Sequence, residues 1–283
     1  MSASIYQSVT ARIIEQLEKG ALPWVKPWRV DATADKNITS GKPYQGINRL
    51  LLGFAPYTCP VWGSYKQWQA LGANVRKGEK GTQIVFYSPV TKEDKATGDT
   101  ETYACLKTYW VFNAEQVDGI TIQSPSVDAT PFNAIDHAEA LIQASGARIA
   151  HGGDAAFYVP SQDRIQLPNK SAFESEGSYY ATAFHELTHW TGHETRCDRV
   201  LKNRFGDSKY AFEELVAEMG AAFLCAENRI PGELRHAGYI GNWLQCLKDD
   251  SRAVFKAAAL AQKAVDHING LKLASEQPMP LAA

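Results

Sequence analysis

Ala181-Thr-Ala-Phe-His-Glu-Leu-Thr-His-Trp190 is the stretch on which the reading of this chain turns. Within it, His185, Glu186 and His189 make an H-E-x-x-H match. The apolar spacing around the match predicts a helix from about Ser178 to Trp190, ended by Gly192. On a helix, residues four apart lie on one face, one turn apart. Both imidazoles can then reach one zinc ion, with Glu186 beside the open coordination position as general base.

A catalytic zinc needs a third protein ligand. His193 is nearest but lies beyond the helix stop. The metzincin pattern is excluded, because it requires histidine at 195, where this chain has Thr195. The helix over Tyr210 to Leu224 offers more. Phe212, Leu215, Met219, Ala222 and Phe223 mark its apolar side, and Glu214 and Glu218 share a face four residues apart. Carboxylates near an apolar interface are costly unless a cation or hydrogen-bond donor meets them. Glu214 is therefore assigned as the third ligand and Glu218 as acceptor for a ligand histidine N–H, with the reverse assignment open. Glu213 is read as solvated. Tyr210 and His193 are candidates for oxyanion or substrate contacts.

Around this centre the second half reads as mainly helical. A helix is expected over 134–145, and two short strands, 157–159 and 164–167, flank the turn at 160–163. Such a hairpin offers an edge to an extended peptide. Apolar helices over 239–247 and 251–268 cover the core, with His236 and His267 as surface or capping residues. The tail over 271–283 is expected to fray.

The first half differs in composition. Residues 1–125 carry 14 Lys and Arg against 11 Asp and Glu, while residues 126–283 carry 15 against 20. Five of the seven tryptophans (24, 28, 62, 68 and 110) lie in it among lysines and arginines. Aromatic platforms stack on bases and cations track phosphates, so this interleaving suits single-stranded nucleic acid. The alternative is a tryptophan core, which fits Trp62, Trp68 and Trp110 on regular elements better than Trp24 and Trp28 in a proline loop. The basic loop Arg76-Lys-Gly-Glu-Lys-Gly81 could cradle phosphates through backbone N–H groups, although it is no P-loop. A helix over 4–19, a short apolar helix after Gly41–Gly46, a helix over 62–72 and a hairpin of strands 82–88 and 102–112 complete the half. A linker rich in Ser, Thr, Pro and Asp follows.

These pieces predict an α+β protein of two domains: 1–120, a linker at 121–133, and 134–270. With 283 residues the chain is long enough for both. The longest apolar runs fall short of a membrane span, and the N-terminus has no signal-peptide pattern. Five scattered cysteines without C-x-x-C suggest reduced thiols in a cytoplasm, and the chain is expected to be a monomer.

The first half resembles the DNA-binding domain of the ArdC family of plasmid antirestriction proteins. The residues that carry the likeness are Pro23-Trp24, Lys26-Pro27-Trp28, Tyr44-x-Gly46-Ile47-Asn48, Trp62, Lys66-Gln67, Leu71-Gly72, Val75-x-Lys77-Gly78-Glu79-Lys80-Gly81 and Val111-Phe112-Asn113. The second half, with His185 to His193 and Glu213 to Glu218, is similar to the zincin-type metallopeptidase domain joined to it in that family. The resemblance implies a gluzincin-like site with one divalent ion, expected to be Zn2+. It also implies single-stranded DNA as partner and protection of incoming plasmid DNA from host restriction. The residues expected at DNA are Trp24, Lys26, Trp28, Arg29, Lys42, Tyr44, Asn48 and Arg49, together with Lys66, Arg76, Lys77 and Lys80. Two other readings stand beside this one: a protease acting on DNA-bound or crosslinked proteins, and a DNA-binding shield whose metal is structural. Nuclease chemistry ranks below them, since such sites usually hold two metals.

Overall fold

The structure, a computed structural model, describes residues 4–19, 35–93, 100–122, 134–199, 208–230 and 240–276. Trp24, Lys26, Trp28, Arg29, His236, the hairpin tip at 94–99 and most of the linker lie outside the described residues.

Helix α1 (Ile5–Glu18) begins at a capping box in which Ser4 and Gln7 satisfy each other's free backbone N–H groups. Next come β1 (Lys36–Asn37), α2 (Ile47–Gly53), β2 (Val61–Gly63), α3 (Tyr65–Ala70) and β3 (Asn74–Val75). The long hairpin β4 (Thr82–Glu93) and β5 (Thr100–Asn113) follows, then β6 (Val117–Asp118). The sheet order is β1-β2-β5-β4, with β1 parallel to β2 and the rest antiparallel; β3 and β6 form a separate pair. The single helix expected over 62–72 is thus a strand and a short helix. Ser64 and Gln67 form a capping box that starts α3 at Tyr65 and leaves Trp62 in β2. Trp62 and Trp68 are core residues, their indoles donating to Asp35 at 2.7 Å and to the Phe112 carbonyl at 3.1 Å. Trp110 is not: it is 57 % exposed on the outside of the hairpin.

The second half holds α4 (Ala134–Ser145), β7 (Arg148–His151), β8 (Phe157–Val159), β9 (Arg164–Leu167), α5 (Glu176–Thr191), α6 (Ser208–Glu227), α7 (Ile240–Asp249) and α8 (Ala253–Glu276). The expected hairpin is there, but it belongs to a three-stranded sheet. Strand β7 adds in parallel to β9, leaving β8 as an edge. Helix α8 runs to Glu276, five residues past the expected start of fraying at 271.

One hydrophobic core serves both halves. Val9, Ile13 and Leu17 of α1, Leu50 and Leu51 of α2 and Val85 of β4 belong to the same cluster as Phe184, Leu215, Trp243 and Val265. Polar ties reinforce it. Thr10 donates to the Ser251 carbonyl at 2.7 Å. Arg49 pairs with Glu227 at 2.7 Å and lies 4.1 Å over the Phe223 ring. All five cysteines are free thiols. No helix among the described residues is long and apolar enough to cross a membrane.

Candidate metal centre

Helices α5 and α6 cross in close contact, and one glycine permits it. A Cβ at Gly220 would sit 2.6 Å from the Thr188 side chain, below any normal contact. That approach brings the carboxylates of α6 to the imidazoles of α5. His185 Nε2 and His189 Nε2 lie 3.1 Å apart. Glu214 reaches both, its oxygens 3.5 Å from His185 Nε2 and 3.5 Å from His189 Nε2. All three donors lie within 4.8 Å of one another. Ligand atoms about 2.0–2.1 Å from a tetrahedral ion stand about 3.3 Å apart, so the donor spacing fits a divalent metal.

Behind the donors, each histidine is held by its other nitrogen. His185 Nδ1 lies 3.1 Å from Glu218, which is fully buried. His189 Nδ1 lies 3.2 Å from Glu213. Such outer partners fix the ring orientation and make the metal-facing nitrogen a better donor. Of the two acids of α6, Glu214 stands with the imidazole donors and Glu218 stands behind His185.

Glu213 corrects the sequence reading. It is buried, and Arg199 grips it through two guanidinium nitrogens at 2.8 and 3.0 Å. The same guanidinium donates to the Thr188 carbonyl at 2.6 Å and to the Thr191 hydroxyl at 2.8 Å. Arg199 thus ties the end of α5 to α6 across the site. Asp198, in the left-handed region at φ 49, turns the chain that delivers it. One signal in the sequence points to Glu213. Ala211, Leu215, Val216 and Ala217 surround it, and a helix apolar on every side leaves no solvated face.

Charge balance points the same way. Burial alone would lower the His185 pKa, but Glu214 and Glu218 outweigh it and hold it well above the usual value. At His189 burial again opposes, and Glu213 and Glu214 carry the pKa up to about 9. Burial would raise Glu214, yet the two histidines hold it far below the carboxylate range. The pocket thus favours positive charge, which a divalent cation supplies with both imidazoles neutral. Glu186 is buried beside them, its charge acting on both histidines.

Of the two further candidates, Tyr210 is half-buried near the start of α6, one turn before Glu214. His193 is not among the three grouped donors. It sits past the Gly192 cap, with its Nδ1 2.9 Å from the Thr195 hydroxyl.

The residues expected at DNA divide. Asn48 is committed to the fold: its side chain donates to the Val85 carbonyl at 2.8 Å and accepts from the Val85 N–H at 2.9 Å. Tyr44 is buried, its hydroxyl accepting from Asn37. Arg49 bridges to α6, as described above. Arg76 is held by Glu79, Asp118 and the Glu115 carbonyl. Lys42, Lys66, Lys77 and Lys80 are exposed. Only Lys42 of these four faces a groove of about 1290 Å³ that runs between the β4–β5 hairpin and α8.

The fold and the donor set define a class: a zincin-like metallopeptidase unit joined to an α+β unit. Residues 136–260 match the zincin-like metallopeptidase family, and residues 3–112 match the N-terminal domain of the anti-restriction factor ArdC. The chain belongs to the ArdC antirestriction family. It is 40% identical to the metal-free crystal structure of the antirestriction protein ArdC from plasmid R388, with a TM-score of 0.83 over 98% of this chain and 100% of that one. An Mn(II)-bound structure of the same relative matches with a TM-score of 0.81 at 39% identity, over 97% of this chain and 100% of that one. Protein y4eC of Sinorhizobium fredii is 39% identical over 93% of this chain and 90% of its own length. An Escherichia coli DNA primase TraC is 41% identical over 93% of this chain, but this chain spans only 20% of that primase.

Proposed function

We propose that this protein is a zinc-dependent peptidase that binds single-stranded DNA and protects incoming plasmid DNA from restriction. The observation that carries the peptidase reading is the completeness of the centre: three donors at metal spacing, a glutamate beside them to serve as base, and an acid behind each imidazole. Zinc held by His185, His189 and Glu214 would supply Lewis acidity and lower the pKa of a bound water to about 7. Glu186, buried beside these donors, would accept a proton from the attacking water and return it to the leaving amine. Glu218 and Glu213 keep the two imidazoles aimed inward. Strand β8, an edge of its sheet, offers main-chain groups to an extended peptide.

The DNA reading rests on the groove. Its aromatic and cationic lining suits a single strand. Together the two halves favour DNA-bound proteins as the peptidase substrate, because one core joins the groove to the metal helices.

The test uses zinc-loaded protein, a DNA-binding protein as substrate, and single-stranded DNA added or withheld. Cleavage that requires DNA and disappears in Glu186→Ala is the expected result. Cleavage that persists in Glu186→Ala would overturn the mechanism. Plasmid transfer into a restricting host, scored for the same variant, reports whether protection needs the peptidase.

A further inference from the structure

The groove is lined by residues between 37 and 48 and by two walls from opposite halves of the chain. One is the hairpin, where Phe86 and Tyr109 are 46 % and 44 % exposed and meet edge to face at 5.7 Å. Register explains their meeting. Ile84 pairs with Tyr109 and Phe86 with Lys107, so alternate residues of both strands share this face. The other wall is α8 and the residue before it. Arg252, Lys256, Lys263 and Asp266 recur at three-, four- and seven-residue steps and line the groove together. The opposite side of α8, with Ala257, Ala261 and Val265, is buried in the shared core.

Charge selects the occupant. Four cations, Lys42, Arg252, Lys256 and Lys263, line the groove against one carboxylate, Asp266. Lys256 pairs with Asp250 at 2.9 Å, but both side chains are about half exposed, and such pairs exchange readily for a phosphate. Arg252 rests 5.0 Å from the Tyr6 ring. Lys263 is exposed. Aromatic faces beside a line of cations match the bases and phosphates of a single strand; a duplex keeps its bases stacked away from such platforms.

We propose that the single-stranded-DNA site is composite, with bases on Phe86 and Tyr109 and phosphates on the cations of α8 and its N-terminal flank in the peptidase half. This rests on the reading that the protein binds single-stranded DNA at all. The strand would then lie along a helix whose other side packs on α6, the helix that carries Glu214.

Binding of a fluorescein-labelled oligo(dT) to the full chain, followed by anisotropy across a salt series, tests it. The double variant Lys256→Ala/Lys263→Ala is expected to lower the slope of log affinity against log salt by about 1.4, at about 0.7 for each phosphate left without its cation. Phe86→Ala is expected to weaken binding roughly 5- to 150-fold. Asp266→Asn is expected to tighten it, a gain that an unfolded variant could not produce. Lys19→Ala, whose side chain is exposed and outside the groove lining, is expected to leave the slope unchanged. If wild type binds oligo(dT) and the α8 variants keep its affinity and slope, the composite groove is wrong and DNA binding stands elsewhere. If wild type does not bind oligo(dT), both this proposal and the DNA reading fall. If the α8 variants lose binding of an acidic peptide but not of oligo(dT), the groove belongs to a protein partner and the proposal fails.

Discussion

The metal centre and the groove are built on opposite plans. At the metal centre the charged groups face one another: Arg199 holds Glu213, Glu213 and Glu218 stand behind the histidines, and the histidines face Glu214. All of these residues lie on α5, on α6 or, for Arg199, just after α5, mostly out of solvent. In the groove the aromatics and cations are exposed and come from elements far apart in sequence. The first plan gives fixed geometry for chemistry. The second is an open surface of the kind that the proposed single strand would use. Substitutions should therefore cost stability and metal at the first site, and affinity alone at the second.

The largest effect should come from the buried pair. Glu213→Ala leaves Arg199 uncompensated and should lower unfolding free energy by about 3–5 kcal/mol, read from urea titration of the metal-free protein. If it costs less than about 1 kcal/mol, the pair behaves like a surface bridge and the first plan fails. Asn48→Ala strands both backbone groups of Val85 in the interior, at about 1–3 kcal/mol for each unmet group; a shift of midpoint in the same titration checks it. Glu218→Ala should weaken metal binding about 10–100-fold, measured by competition with a chelator of known affinity. Unchanged metal affinity would mean that the acid behind His185 has no orienting role. At the small end, Lys66→Ala should change stability by less than about 0.5 kcal/mol.

How much of this is legible in the sequence follows from the same contrast. The metal helix, its stop at Gly192 and the ligand Glu214 are local patterns at helical spacing, and they can be read directly. Arg199 cannot, because it lies in the irregular chain after α5 and acts through a tertiary contact. Glu213 misleads because a charged residue is usually solvated, although its apolar neighbours argue otherwise. Strand β7 is hidden because Arg148-Ile-Ala-His151 is short and pairs in parallel with a strand beyond β8. On α8 the lysines read as the ordinary wet side of a core helix; only the fold reveals that the hairpin aromatics face them. Trp110, expected inside by its position on a strand, pairs with Gln83 at the start of β4, beyond the core-packed Val85 of the same face, and is 57 % exposed.

The most direct test of the contrast is a paired measurement on Glu214→Gln: metal content by elemental analysis and oligo(dT) affinity on the same preparation. The account predicts one bound divalent ion per chain in wild type, loss of that ion in the variant, and unchanged DNA affinity. Metal retained in full, or DNA affinity that disappears together with the metal, would contradict it.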